Sequence, residues 1–384
     1  MKLFHTADWH LGKLVQGVYM TEDQRFVLEQ FAAAVEAERP DAVIIAGDLY
    51  DRAVPPTEAV KLLDELLARI VVGAGVPVLA VAGNHDSPSR LEFGSSIMKA
   101  ARLHIAGELT WPIEPVVLND TYGEVHVYLV PYAEPGKVRL LLGEDDIRTH
   151  DDAMGRLAGA IRAGVKAGVR AVLVGHAFVT PGGEPQANTS DSERPLCIGG
   201  AEHVSARHMD GFCYTALGHL HQAHTVGSDA VRYAGSPLKY SISEERHRKG
   251  YLAVELDAGG LAAVEKRELA ARRDMRTVEG LMADIERHPV SDDYVFVRLL
   301  DEAPVLSPME RVRAAYPNAL HVERASAVAE FGGESLAARG RSGLDARSLF
   351  RAFYEDVCGA EPSPETEKLL LDALDDVSGK EEAR

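Results

Sequence analysis

Five short apolar runs in this 384-residue chain end in side chains able to hold a metal ion. KLFHTAD (2–8) ends on Asp8, with Trp9 and His10 next. AVIIAGD (42–48) ends on Asp48, and VLAVAGN (78–84) on Asn84, with His85 and Asp86 behind it. AVLVGH (171–176) ends on His176, and YTALGH (214–219) on His219, followed by Leu220 and His221. Carboxylate, carboxamide and imidazole together suit Mn²⁺, Fe²⁺ or Zn²⁺; no cysteine lies in the set, which excludes thiolate ligation. A carboxylate can bridge two ions. Asp48 is the natural bridge, with Asp8 and His10 on one side and Asn84 and His176 on the other. His219 and His221 alternate along an extended segment and so face the same way, one toward each ion. Two ions roughly 3.5–4 Å apart can polarise a phosphoryl group, lower the pKa of a bridging water and clamp the attacking and leaving oxygens. Hydrolysis of a phosphate ester is the predicted chemistry.

His85 sits beside a ligand and need not be one: its imidazole can donate to a phosphate or protonate a leaving alkoxide, or else merely orient Asn84. Asp51 and Asp86 read as loop anchors or helix caps. His5, His104, His126, His203, His208, His224 and His247 read as ordinary surface or core histidines. Lys13, Arg52 and Arg90 lie within a few residues of the ligands and are candidate phosphate contacts.

Positioning such a set takes strands. Runs of four to eight Val/Leu/Ile-rich residues broken by glycine read as buried strands entering tight loops, and Gly47, Gly83, Gly175 and Gly218 directly precede ligands. Ligands of open α/β sheets gather at the carboxyl ends of the strands, so residues more than two hundred positions apart would meet at one edge. Helices are predicted at 22–38, 57–70, 89–101 and 153–167. Shorter strands of period two follow residue 194, and 180–195 reads as a polar, mobile loop. From 275 to 330 an αβαβ pattern appears, with Val278, Leu281, Met282 and Ile285 on one helical face. A linker at 332–343 leads to a helical tail at 344–384. Its first apolar stripe is Leu349, Phe350, Phe353, Tyr354 and Val357; its second is Leu369, Leu370, Ala373, Leu374 and Val377.

The bulk numbers are those of a globular protein of more than one domain, with 46% hydrophobic and 26% charged residues. Three cysteines without CxxC spacing read as reduced and non-ligating. The first strand leaves no room for a signal peptide, and the most apolar stretch, 70–83, falls short of a membrane span. The reading is soluble and cytoplasmic. A formal charge of −18 argues mildly against a nucleic-acid enzyme.

The set Asp8-x-His10, Gly47-Asp48, Gly83-Asn84-His85-Asp86, Gly175-His176 and Gly218-His219-Leu220-His221 resembles the calcineurin-like metallophosphoesterases. HTADWHLGK (5–13), AGDLYD (46–51), AGNHDS (82–87), ALGHLH (216–221) and YAGSPLKYS (233–241) narrow the resemblance to the SbcD family of nuclease subunits. That resemblance implies an α/β fold, a layered α/β/β/α sandwich over 1–270, then an α+β DNA-capping domain at 275–330 and the tail at 344–384. It implies one Mn²⁺ held by Asp8, His10, Asp48 and His221, another held by Asp48, Asn84, His176 and His219, and His85 as the catalytic imidazole. It further implies double-strand exonuclease and single-strand or hairpin endonuclease activity in DNA repair, recombination and replication at the nucleoid. The tail would bind an SbcC-type ATPase, and a homodimer would form through the helices at 57–70 and 89–101. The rival readings are a phosphomonoesterase or nucleotidase, and an end-tethering scaffold with incidental hydrolysis.

Overall fold

The computed structural model describes residues 1–183, 190–193, 202–325, 348, 350, 351, 354 and 361–369. The linker at 332–343 lies outside them, as do Cys197, Cys358 and most of the tail; of its two apolar stripes only Phe350, Tyr354 and Leu369 are described. The chain forms two compact units, Met1–Arg276 and Thr277–Arg384.

The first unit holds two six-stranded sheets. One runs in the order Gly260–Glu268, Gly250–Asp257, Lys2–Thr6, Ala42–Ala46, Val78–Val81, Leu103–Ala106. Its last four strands are parallel, and the Gly250–Asp257 hairpin strand joins antiparallel to Lys2–Thr6. The other runs His224–Val226, Ser228–Tyr233, Tyr214–Gly218, Arg170–His176, Gly123–Val130, Val116–Asp120, with its middle four parallel. Ala42–Ala46 and Arg170–His176 are buried at every residue, as parallel strands covered on both faces must be. Between the sheets Leu3, Ile44, Leu79, Val127, Val172, Val174 and Val254 form one core. Burying each of these side chains fully contributes roughly 1.5–3 kcal/mol.

Helices cover the outer faces. Thr21–Glu38 buries Val27, Leu28, Phe31 and Val35, and Phe31 meets Phe4 and Tyr251 of the first sheet at ring-centroid distances of 6.3 and 5.0 Å. His150–Gly164 sets Met154, Leu157 and Ile161 into a cluster with Tyr128, Leu173 and Leu217 of the second. Its start is fixed by a capping box between Thr149 and Asp152. The layering is α/β/β/α.

Two predicted helices differ. In place of one helix at 89–101 there are the short turns Pro88–Glu92, Ser95–Met98 and Lys99–Ala101, because Gly94 at φ +75° breaks the run. The predicted helix at 57–70 is α-helical over Thr57–Ala68 and continues as a π-turn over Arg69–Gly73. Where the second unit begins, Met275–Gly280 is a strand, so Val278 is a strand residue, and of the predicted first helix only Met282–Ile285 is helical. Val278 is buried between exposed Thr277 and Glu279, a short alternation that the 3.6-residue reading overrode. This strand pairs into a three-stranded sheet with Tyr294–Leu299 and Ala319–Arg324, over a core of Val278, Ile285, Val295, Val297 and Val312.

Candidate metal centre

Asp8 follows Lys2–Thr6, Asp48 follows Ala42–Ala46, and Asn84 follows Val78–Val81, three adjacent parallel strands of one sheet. His176 ends Arg170–His176 and His219 follows Tyr214–Gly218 in the other, where Gly218 and His176 are register partners. All five loops therefore leave the sandwich at one edge.

The loops interlock through their backbones. Asp8 N–H donates to Gly47 O at 3.0 Å, and His10 N–H to Asp48 O at 2.9 Å. Asp8 takes His219 N–H on its carboxylate at 2.9 Å. Asp8, His10, Asp48 and His219 all have positive φ, at 54°, 45°, 49° and 109°. Non-glycine residues there cost about 1–3 kcal/mol each and persist where the surroundings over-determine them, typically at functional sites. The preceding glycines serve close approach. A Cβ at Gly83 would lie 2.0 Å from Asp48 Oδ1, and one at Gly47 2.2 Å from the His176 ring.

Three groups with ligand atoms within 4.8 Å of one another result among the described residues: Asp8–His10–His221, Asp8–Asp48–His176 and, toward the rim, His10–Asp51–His85. Asp48 Oδ2 stands 3.6 Å from His10 Nε2 and 3.4 Å from His176 Nε2, between the first two groups, where a bridge would stand. Asn84 Oδ1 lies 2.9 Å from His176 Nε2 and 3.3 Å from His219 Nδ1. His221 Nε2 lies 3.1 Å from His10 Nε2. His176 donates Nδ1–H to Ala46 O at 2.9 Å, so Nε2 is the ring atom that would face a cation. Asp8, His10, His176 and His221 are all buried.

Burial and the neighbouring Asp48 push the Asp8 carboxyl up to about 7, against the pull of His176 and His221. Burial raises Asp48 too, but His176 and His10 hold it well below the usual carboxylate range. Burial keeps His10 neutral, and its Nδ1 has no hydrogen-bond partner. Buried carboxylates of Asp8 and Asp48 crowded against the rings of His10, His176 and His221 fit divalent cations, which would neutralise the acids and take imidazole lone pairs.

His85 is partly exposed at the rim. Its N–H donates to Asp48 Oδ1 at 2.9 Å, and its ring Nδ1 donates to Asp51 O at 2.8 Å, leaving Nε2 free. Its bonds thus go to Asp48 and Asp51. Asp86 anchors the loops, taking Leu49, Tyr50 and Gly83 N–H groups at 2.9–3.1 Å. Lys13 is ion-paired to Asp51 at 2.8 Å, whereas Arg52 and Arg90 are exposed. The sequence reading missed Gln24 and Tyr240, which brace the first loop. Gln24 Nε2 donates to Trp9 O and His10 O, and Tyr240 O–H to Trp9 O. A glutamine on the buried face of an amphipathic helix was the available signal. Behind His221 lies a second unpredicted group, Glu193, Glu244 and Lys249.

Residues 1–152 match the calcineurin-like phosphoesterase family. The chain thus carries a calcineurin-like phosphoesterase domain over those residues. It is a metal-dependent phosphoesterase, and the sequence resemblance to that superfamily holds. Residues 271–357 of the phosphoesterase match SbcD_C, the Type 5 capsule protein repressor C-terminal domain, in agreement with the SbcD-family resemblance. A dimetal phosphatase from Danio rerio aligns at 13% identity over 70% of this chain and 99% of its own, with a TM-score of 0.40. No described helix of this phosphoesterase is long and apolar enough to cross a membrane.

Proposed function

We propose that this metal-dependent phosphoesterase is a Mn²⁺-dependent DNA nuclease. Its activities would be double-strand exonuclease and single-strand or hairpin endonuclease, working with an SbcC-type ATPase in DNA end processing, repair, recombination and replication at the nucleoid. The observation that carries the reading is the placement of Asp48 Oδ2 between His10 and His176, from which one carboxylate would serve two ions. Asp8, His10, Asp48 and His221 would hold one Mn²⁺, and Asp48, Asn84, His176 and His219 the other. When bound, the pair would polarise the phosphoryl group and lower the pKa of a water that attacks its phosphorus. The chain's own contribution is orientation and a proton. His85, with Nδ1–H given to Asp51 O, presents Nε2 from the rim to hold a phosphate oxygen or protonate the leaving alkoxide. Arg52 and Arg90 are the exposed cations available to a DNA backbone; Lys13, paired to Asp51, would act by shaping the rim.

The SbcD_C match favours a diester substrate and an ATPase partner over a simple monoesterase. A homodimer is supported by the apolar groove of about 570 Å³ between the Thr57–Ala68 helix and the 88–105 segment, rimmed by exposed Val60, Val72 and Phe93.

The test is hydrolysis of an end-labelled linear duplex with Mn²⁺, with Mg²⁺ and with chelator, for the wild type and His85→Ala. Mn²⁺-dependent end degradation is expected. In His85→Ala it should fall roughly 10²–10⁴-fold while Mn²⁺ titration is unchanged. Turnover of phosphate monoesters with no cleavage of DNA would instead favour the phosphatase rival.

A further inference from the structure

Among the histidines of the centre, His221 is distinguished by how completely its other polar atoms are engaged. Its backbone N–H donates to Glu193 Oε1 at 2.6 Å. Its carbonyl accepts from Lys249 Nζ at 2.8 Å. Its ring Nδ1 lies 3.1 Å from Glu244 Oε1 and 2.8 Å from Ser192 Oγ. Only Nε2 remains, and it faces His10. His10, by contrast, has no hydrogen-bond partner at Nδ1, and Asp51 stands 3.6 Å from it, too far for a hydrogen bond.

We infer that Glu244 is a positioning residue for His221, fixing a proton on Nδ1 so that Nε2 is kept as a lone pair aimed at the cation. This rests on the reading of His221 as a ligand. An ionised carboxylate can only accept, so a ring nitrogen 3.1 Å from Glu244 Oε1 meets it by donating, and Ser192 Oγ can then give its own proton to Glu244 Oε1. The proton on Nδ1 must be the ring's own. A histidine ligand whose far nitrogen donates to a carboxylate has its tautomer and ring plane set and its basicity raised.

Glu244 can do this only if it is itself held. It is fully buried, as is most of Lys249. Lys249 spends its three ammonium protons on Glu244 Oε2 at 2.5 Å, on Ser236 Oγ at 2.8 Å and on His221 O. The buried pair is thus fully satisfied, the condition under which burying two charges is tolerated. Lys249 bridges Glu244 to the backbone of the histidine that Glu244 orients, so ring and main chain of His221 are fixed as one piece.

Single removal of either charge would strand the other, so the test uses neutral pairs. Glu244→Leu with Lys249→Met removes the acceptor; Glu244→Gln with Lys249→Met keeps an amide oxygen for Nδ1–H. Mn²⁺ titration followed by electron paramagnetic resonance should show one ion weakened roughly 10–100-fold in the Leu/Met protein, with most of that restored in Gln/Met. In metal-free wild type, ¹⁵N spectra of labelled histidine should show a proton resident on His221 Nδ1, absent in Leu/Met. Equal Mn²⁺ affinity in a folded Leu/Met protein would overturn the inference. So would wild-type spectra with the proton on Nε2 alone, a result that needs no variant to fold. His221→Asn is the control: if it leaves Mn²⁺ binding intact, the ligand reading fails, whatever the Nδ1 result.

Discussion

His85 and Gly83 show how differently single positions act here. His85 offers chemistry from the rim, while Gly83 offers only the absence of a side chain. A methyl group at 83 would sit 2.0 Å from Asp48 Oδ1, so Gly83→Ala must move the Asp48 carboxylate. Displacing it by an ångström should lower kcat/KM on the order of 100-fold and weaken Mn²⁺ binding. Wild-type Mn²⁺ affinity and turnover in a folded Gly83→Ala protein would show that Asp48 needs no such placement. His5 makes a different case. Burial drives its pKa from 6.5 down to about 3, so it folds as a neutral ring, 2.9 Å from Tyr214 O–H. A lowered histidine means that the unfolded chain takes up the proton first. Its contribution is therefore intact above pH 6.5 and is lost as pH falls toward 3, at about 1.4 kcal/mol per unit. Urea midpoints at pH 7.5 and 4.5 should converge in His5→Gln relative to wild type; an unchanged difference would remove His5 as a cause.

At the scale of elements, the strands that lead to the candidate ligands were legible because buried parallel strands read as continuous apolar runs, and KLFHT, AVIIA and VLAV do so. The helix at 21–38 was legible for its periodicity. The segment at 89–101 was misread because one glycine outweighed its apolar spacing, and Met275–Gly280 because a six-residue strand and a helical turn share their apolar positions over so short a span. The broken segment also leaves Phe93 and Ile97 about 80% exposed beside the groove of the Thr57–Ala68 helix. Apolar patches of this kind mark interaction sites. Light scattering should find the wild type dimeric and Phe93→Glu/Ile97→Glu monomeric. A dimer that survives both changes would place the interface elsewhere.

Across the whole molecule, the division of labour is between the first unit, which carries every candidate ligand, and the segment beyond it. Deleting 344–384 should abolish binding to an SbcC-type ATPase while leaving Mn²⁺-dependent hydrolysis intact; pull-down and nuclease assays on the same preparation read both, and retained ATPase binding would refute it. The sequence by itself determined which residue types could meet a metal and that strand ends would carry them, since ligand chemistry and apolar run length are local properties. It also carried the family through the strings around Asp8, Asp48, Asn84 and His219. Only the tertiary structure decided that Asp48 stands between His10 and His176, that four candidate ligands sit at positive φ, and that Glu244 and Lys249 back His221. Those relations join residues 23 to 128 positions apart across two sheets, and no local pattern encodes a distance that packing sets.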